Sequence, residues 1–197
     1  MSSIRNLSFL LLSLLVIACG SNPQPEQAAG PDSLLIKAQE LARRFIITDG
    51  HVDLPYMLQE KKVTISEATR DTLLSTSMGE FDHARAVKGG LDAPFMSIYI
   101  PVKDQAAPGY GMALADSLIN QVEAIVRVLP EKFARAGTPD DIRRNTTEGK
   151  ISLPMGMENG APVGKDIARL QYLFDRGIPA SGLEFSTESI AETQRRF

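Results

Sequence analysis

Three residues whose side chains can ligate a metal lie where the hydropathy pattern breaks off. His51 and Asp53 belong to Asp49-Gly50-His51-Val52-Asp53-Leu54-Pro55, after an apolar run over Phe45 to Ile47 that reads as a strand with Thr48-Asp49-Gly50 as its exit. In an extended segment residues two apart point to one side, so imidazole and carboxylate can aim at one cation while Val52 turns into packing. A His-x-Asp tripeptide is common by chance, but α/β folds place their chemistry at the carboxyl ends of strands. Glu158 follows the apolar segment Ile151 to Met157 and precedes Asn159-Gly160, which puts an acid at the same rim of a sheet. A carboxylate can bridge two cations, which lie roughly 3.5–4 Å apart in paired-metal hydrolases. On periodicity alone, a solvated loop acid is the better description of Glu158.

The remaining candidates read as structural. His83, in Phe81-Asp82-His83-Ala84-Arg85, is expected to be a surface or capping residue, Asp49 to cap a turn and Asp82 to start a helix. Met155 and Met157 alternate along a strand and suit packing. The 197 residues include two histidines and one cysteine, so neither a disulfide framework nor a histidine-rich metal site is available. A net charge of −3 without long runs of one sign gives no reason to expect a nucleic-acid partner. With 43% hydrophobic and 23% charged residues the composition is that of a folded domain.

These residues need elements to position them. Leu34, Leu35, Ala38, Leu41, Ala42 and Phe45 recur at helical spacing behind Asp32 as a cap. Residues 63–82 are polar and weakly patterned, an expected surface excursion. Phe95 to Val102 reads as a strand closed by Pro101, and Leu114 to Phe133 as the longest helix, bent or divided at Pro130. Thr138-Pro139-Asp140-Asp141 starts a short helix that Gly149 ends. Ile151 to Met157 is a third strand, and Ile167, Leu170, Leu173 and Phe174 share one helical face before Gly177. Strands alternating with helices predict an α/β fold on a parallel sheet.

The N-terminus reads as an address. Arg5 precedes the apolar run Leu7 to Ile17, about 16 Å as a helix and too short for a bilayer of roughly 30 Å. The run ends in Val16-Ile17-Ala18-Cys19-Gly20, which resembles a bacterial lipobox, with Cys19 as the lipidated residue. Residues 1–18 would be the signal peptide and 19–31 a polar, Pro-containing tether. The expected location is the bacterial cell envelope, exported and lipid-anchored to a membrane. The other reading is an ordinary signal followed by a buried cysteine.

Taken together, Asp49 to Pro55, Gly89-Gly90, Ala93-Pro94-Phe95-Met96-Ser97, Gly156-Met157-Glu158-Asn159-Gly160, Gly164-Lys165-Asp166 and Leu173-Phe174-Asp175-Arg176-Gly177 resemble the membrane (renal) dipeptidase family. The family usually shows Asn where this chain has Val52. The resemblance implies a TIM-like (β/α) barrel with two zinc ions, His51 and Asp53 on one and Glu158 bridging both. Its reaction is hydrolysis of a dipeptide by a metal-bridging hydroxide, with Glu158 as the catalytic carboxylate and a homodimer as a partner state. The family's second zinc takes two further histidines and another acid, which are absent here.

The resemblance runs from about Phe45 to Ile178, the N-terminal portion of such a barrel is expected over 32–178, and residues 179–197 read as an atypical tail. Pro179 removes a ladder donor and no strand alternation follows. A shifted frame or early stop is the expected origin, a natural short ending the alternative. Because a TIM barrel takes about 250 residues, the chain alone is expected to be incomplete and inactive. The competing function is a non-catalytic, lipid-anchored binding module derived from the same fold. An amidohydrolase of lactones or cyclic amides fits less well, since those sites usually open with His-x-His.

Overall fold

The computed structural model describes residues 32–102, 109–179 and 183–184. The expected signal segment, the tether, Cys19 and most of the atypical tail lie outside them. Six strands and seven helices are described: α1 (Ser33–Arg44), β1 (Thr48–Val52), α2 (Leu54–Glu60), α3 (Asp71–Leu74), α4 (His83–Gly89), β2 (Ala93–Tyr99), α5 (Tyr110–Val128), β3 (Phe133–Arg135), α6 (Pro139–Thr147), β4 (Ile151–Leu153), β5 (Met155–Glu158), α7 (Ala168–Asp175) and β6 (Leu183–Glu184).

Every pairing is parallel. The main sheet runs β1-β2-β5-β6, and β3 pairs with β4 beside it. The strands of the main sheet thus follow one another in chain order, with helices in the connections and β3 and β4 set aside between β2 and β5. Such a sheet advances in one direction, as a barrel wall does, and does not reverse as a doubly wound sheet does.

The expected α/β class holds, with local corrections. The first strand is the polar segment Thr48–Val52 and not Phe45 to Ile47, because Phe45 caps α1 and parallel pairing with β2 begins only at Ile47 and Thr48. Tertiary pairing overrides the apolar pattern here. Residues 63–82 are not a bare surface excursion: Ile65, Leu73 and Phe81 are buried, and α3 lies among them. The long helix ends at Val128, since Leu129 precedes Pro130 and must leave helical geometry. Phe133 then belongs to β3. The single strand expected over Ile151 to Met157 is divided at Pro154 into β4 and β5, which serve different sheets. On α7 only Leu173 is buried, while Ile167 and Phe174 face solvent. In the tail, β6 pairs with Met157 and Glu158 of β5 at a point where no strand was expected. Pro179 lies before that pairing and so removes none of its donors.

The core sits between the sheet and α5. Leu114, Leu118, Val122, Ile125 and Val128 repeat every three or four residues along α5 and are buried against Met96, Ile98 and Met155 among others. Each such side chain contributes roughly 1.5–3 kcal/mol by leaving water. The helix α1 forms as expected behind Asp32, whose carboxylate accepts from Leu34 N at 3.0 Å, but none of its residues is buried. The helix α6 has the expected Thr138 cap, a reciprocal pair in which Asp141 N–H donates to Thr138 Oγ1 and the Asp141 carboxylate accepts from Thr138 N–H.

Candidate metal centre

The parallel register carries the site. Thr48 and Asp49 pair with Ala93 and Pro94, yet Val52 pairs with Met96, so Gly50 and His51 together oppose Phe95 alone. This is a β-bulge, which bends a strand and re-aims a side chain. The Asp49 carboxylate accepts from His51 N–H at 2.9 Å and holds the bulge closed, the turn-capping role expected of it. Asp53 then lies beyond the strand as the first residue leading into α2, and its side chain caps nothing there. The shared side of His51 and Asp53 therefore comes from a bulge and a helix start, not from simple strand alternation.

Glu158 reaches the same place from β5. It lies opposite Tyr99 at the carboxyl end of the sheet, where β2 and β5 finish together. His51 Nε2 is 3.2 Å from Asp53 Oδ1 and 3.4 Å from Glu158 Oε2, and one ligand atom from each residue falls within 4.8 Å of the others. Around a zinc with bonds of about 2.0–2.2 Å, tetrahedral ligand atoms are separated by roughly 3.4 Å. The two spacings to His51 match and the third lies within 4.8 Å, so the chemistry and placement of these three residues fit a metal ion. Two carboxylates this close repel, although solvent around the exposed Asp53 weakens the effect. A cation removes that repulsion. Glu158 is the most sheltered of the three, with 25% of its side chain exposed against 40% for His51 and 56% for Asp53.

Two residues unassigned from sequence belong beside this group. Ser97, buried in β2, directs its hydroxyl to Glu158 Oε2 at 3.5 Å. Its signal was one small polar residue inside the apolar run Phe95 to Ile100. Asn159 was part of the turn that marked Glu158, but nothing in residue spacing gave it a role. A cavity of about 420 Å³ opens alongside, lined by His51, Asp53, Met57, Glu80, Phe81 and Leu91.

His83 is no part of the centre. It is the first residue of α4, capped by Asp82, and its ring packs edge-on against Phe133 at 5.5 Å between centroids. Burial, with help from Lys132, pushes its imidazole below the ordinary value. Asp82 starts the helix as expected and also ties down the cavity wall: it accepts from Arg85 N–H, Thr76 N–H and the Arg85 guanidinium. Burial raises its pKa, but these donors outweigh burial and hold the carboxyl below its ordinary 3.8. Its contribution is complete above that ordinary value and is lost as pH falls through the lower folded value. Asp82→Asn is therefore expected to cost stability at pH 7, with the gap to wild type narrowing toward pH 3 in urea titrations. A constant gap would mean that the charge is not what matters.

Known proteins share this fold. A dipeptidase of Aspergillus terreus, ataJ, is 23% identical over 150 residues, which is 73% of this chain and 36% of that protein. Among solved structures, the probable dipeptidase PvdM of Pseudomonas aeruginosa superposes with a TM-score of 0.65 at 23% identity, covering 80% of this chain and 38% of its own. A metallopeptidase of Rhodobacter sphaeroides, liganded with a phosphinate mimic of the dipeptide L-Ala-D-Ala, gives a TM-score of 0.57 at 21% identity over 68% of this chain and 44% of that one. The chain thus spans less than half the length of these relatives. A family model for membrane dipeptidase, peptidase family M19, matches residues 35–196, through the described strands and across the tail. The chain belongs to the membrane dipeptidase family, peptidase family M19.

Proposed function

We propose that the sheet is the first part of a (β/α) barrel and that its rim carries the zinc-binding portion of a dipeptide-hydrolysing site. The observation that carries this reading is the convergence of His51, Asp53 and Glu158 from two strand ends onto one point. An imidazole and two carboxylates are donors that zinc accepts well. When bound, zinc supplies a water acidic enough to attack a peptide carbonyl near neutral pH and stabilises the charge that develops. His51 and Asp53 hold the ion, and Glu158 presents its carboxylate both to that ion and to the reacting centre. Ser97 steadies the Glu158 oxygen, and the open cavity beside the ligands leaves room for a dipeptide.

The phosphinate dipeptide mimic seen in the Rhodobacter relative supports the substrate class. Zinc-loaded chain is expected to bind such a mimic in calorimetric titration, and His51→Ala to remove that binding. Equal binding with and without zinc would contradict the proposal. Among the described residues the clustered donors suffice for one ion, which favours binding without efficient turnover as the second reading. A dipeptide assay on the same sample separates the two.

We place the protein in the cell envelope, anchored through Cys19, on the export-like segment before it. No helix of the described residues is long and apolar enough to cross a membrane. Metabolic labelling with an alkyne fatty acid is expected to mark the wild type and to be lost in Cys19→Ser. Label retained by Cys19→Ser would refute the anchor.

A further inference from the structure

Asn159 follows Glu158 directly, and its environment is unusual for a polar turn residue. It is 3% exposed and takes a left-handed backbone conformation, with φ of 81°. Only two described non-glycine residues do so, the other being Lys62. Both ends of its amide are used. Nδ2 donates to Ile100 O at 2.6 Å, across to the end of β2, and Oδ1 accepts from Ala161 N–H at 2.8 Å, closing the turn after β5.

These bonds form a clamp. The ladder between β2 and β5 ends at the Tyr99–Glu158 pair, and the last backbone bond beyond it, Ile100 N–H to Glu158 O, is long at 3.4 Å. The Asn159 side chain supplies the short connection that the backbone lacks there. A non-glycine residue in the left-handed region costs about 1–2 kcal/mol, and asparagine tolerates it best because its amide can bond locally. Here that amide is spent on the two segments that fix where Glu158 emerges.

We propose that Asn159 is a positioning residue of the metal centre: by locking the ends of β2 and β5 together it sets the Glu158 carboxylate against His51 and Asp53. This rests on the metal-binding reading of those three residues. Groups that orient a metal ligand without touching the ion typically change affinity by about 10–100-fold when removed.

Zinc affinity of the full chain, measured by competition with a chromophoric chelator, tests this together with the visible spectrum of the cobalt(II) form. Asn159→Gly keeps the backbone conformation without strain and loses only the clamp; Asn159→Asp keeps the acceptor for Ala161 and loses the donor to Ile100. Both are expected to weaken zinc binding by about tenfold or more and to alter the cobalt spectrum. Asn145→Ala is the matched control. Asn145 is equally buried and joins β3 to β4 through bonds to Arg135 O and Ser152 Oγ, on strands other than those that carry the ligands. It should lower the melting temperature yet leave affinity and spectrum unchanged.

If Glu158→Gln weakens zinc while both Asn159 variants bind as wild type does, the positioning role is refuted and the metal site stands. If wild type itself binds no zinc, the metal site falls. Hydrogen exchange on wild type decides the matter even if the variants unfold. By reciprocity, zinc must tighten the clamp, so the Ala161 amide is expected to exchange more slowly on zinc addition while the Asp141 amide at the α6 cap does not change. No slowing at Ala161 overturns the inference.

Discussion

Replacing Glu158 by glutamine is expected to weaken zinc binding by about 100-fold or more while leaving the fold intact. Removing groups that merely support a ligand costs about 10–100-fold, and Glu158 is proposed as a direct ligand, so its loss belongs at or above the top of that range. The substitution is nearly isosteric, and Ser97 can still bond the amide oxygen that replaces Oε2. It also relieves the repulsion between Glu158 and Asp53 in the metal-free protein. Metal-free Glu158→Gln loses the 3.4 Å pairing with His51 along with the repulsion from Asp53 and should melt close to metal-free wild type, while the stabilisation by zinc expected of wild type should shrink sharply. Wild-type and variant melting curves with and without zinc check both parts. Equal zinc stabilisation in the two proteins would show that Glu158 is not a ligand.

Gly177→Ala is expected to destabilise the fold by about 2–3 kcal/mol, from backbone strain plus part of a charged hydrogen bond. Gly177 ends the α7 segment with φ of 94°, where any side chain is strained by about 1–2 kcal/mol. An added Cβ would also clash with Arg135 Nη2, the end of a flexible side chain that must move aside and that donates to Arg176 O at 2.8 Å. A charged hydrogen bond of this kind contributes roughly 1.5–3 kcal/mol, and moving the guanidinium also disturbs its pair with Glu123 at 3.0 Å. That pair belongs to a network in which Arg176 bonds Asp116 and Asn120 of α5, so the strain acts on the seam between α7 and α5. Urea unfolding of the variant measures the loss. Gly149→Ala has a comparable φ of 72° but open space at Cβ and should cost only the backbone part, so equal losses at the two positions would exclude the Arg135 contact as a cause.

Helices with caps and an unbroken apolar stripe were legible from the residues. Asp32, Thr138 and Asp82 cap α1, α6 and α4 through side-chain bonds, and the stripe of α5 is buried along its length. The strands were less so. The first strand, Thr48–Val52, is polar and is defined by its pairing with β2, information that a local window does not contain. Pro154 divides one apolar run between two sheets because a residue without N–H can end one ladder while the chain carries on into the next. The three presumed ligands were named from spacing and from family resemblance, and they do converge. What spacing could not show is the bulge that turns His51, or the buried Asn159 amide that joins β2 to the turn after Glu158. Both depend on contacts between segments about 45–60 residues apart.

The central claim is that one ion sits among His51, Asp53 and Glu158. Anomalous diffraction at the zinc edge, from crystals of the zinc-loaded chain, tests it most directly. The expected result is a single strong peak with His51 Nε2, Asp53 Oδ1 and Glu158 Oε2 all at about 2.0–2.2 Å. A peak elsewhere, or zinc absent from this point at saturating concentration, would contradict it.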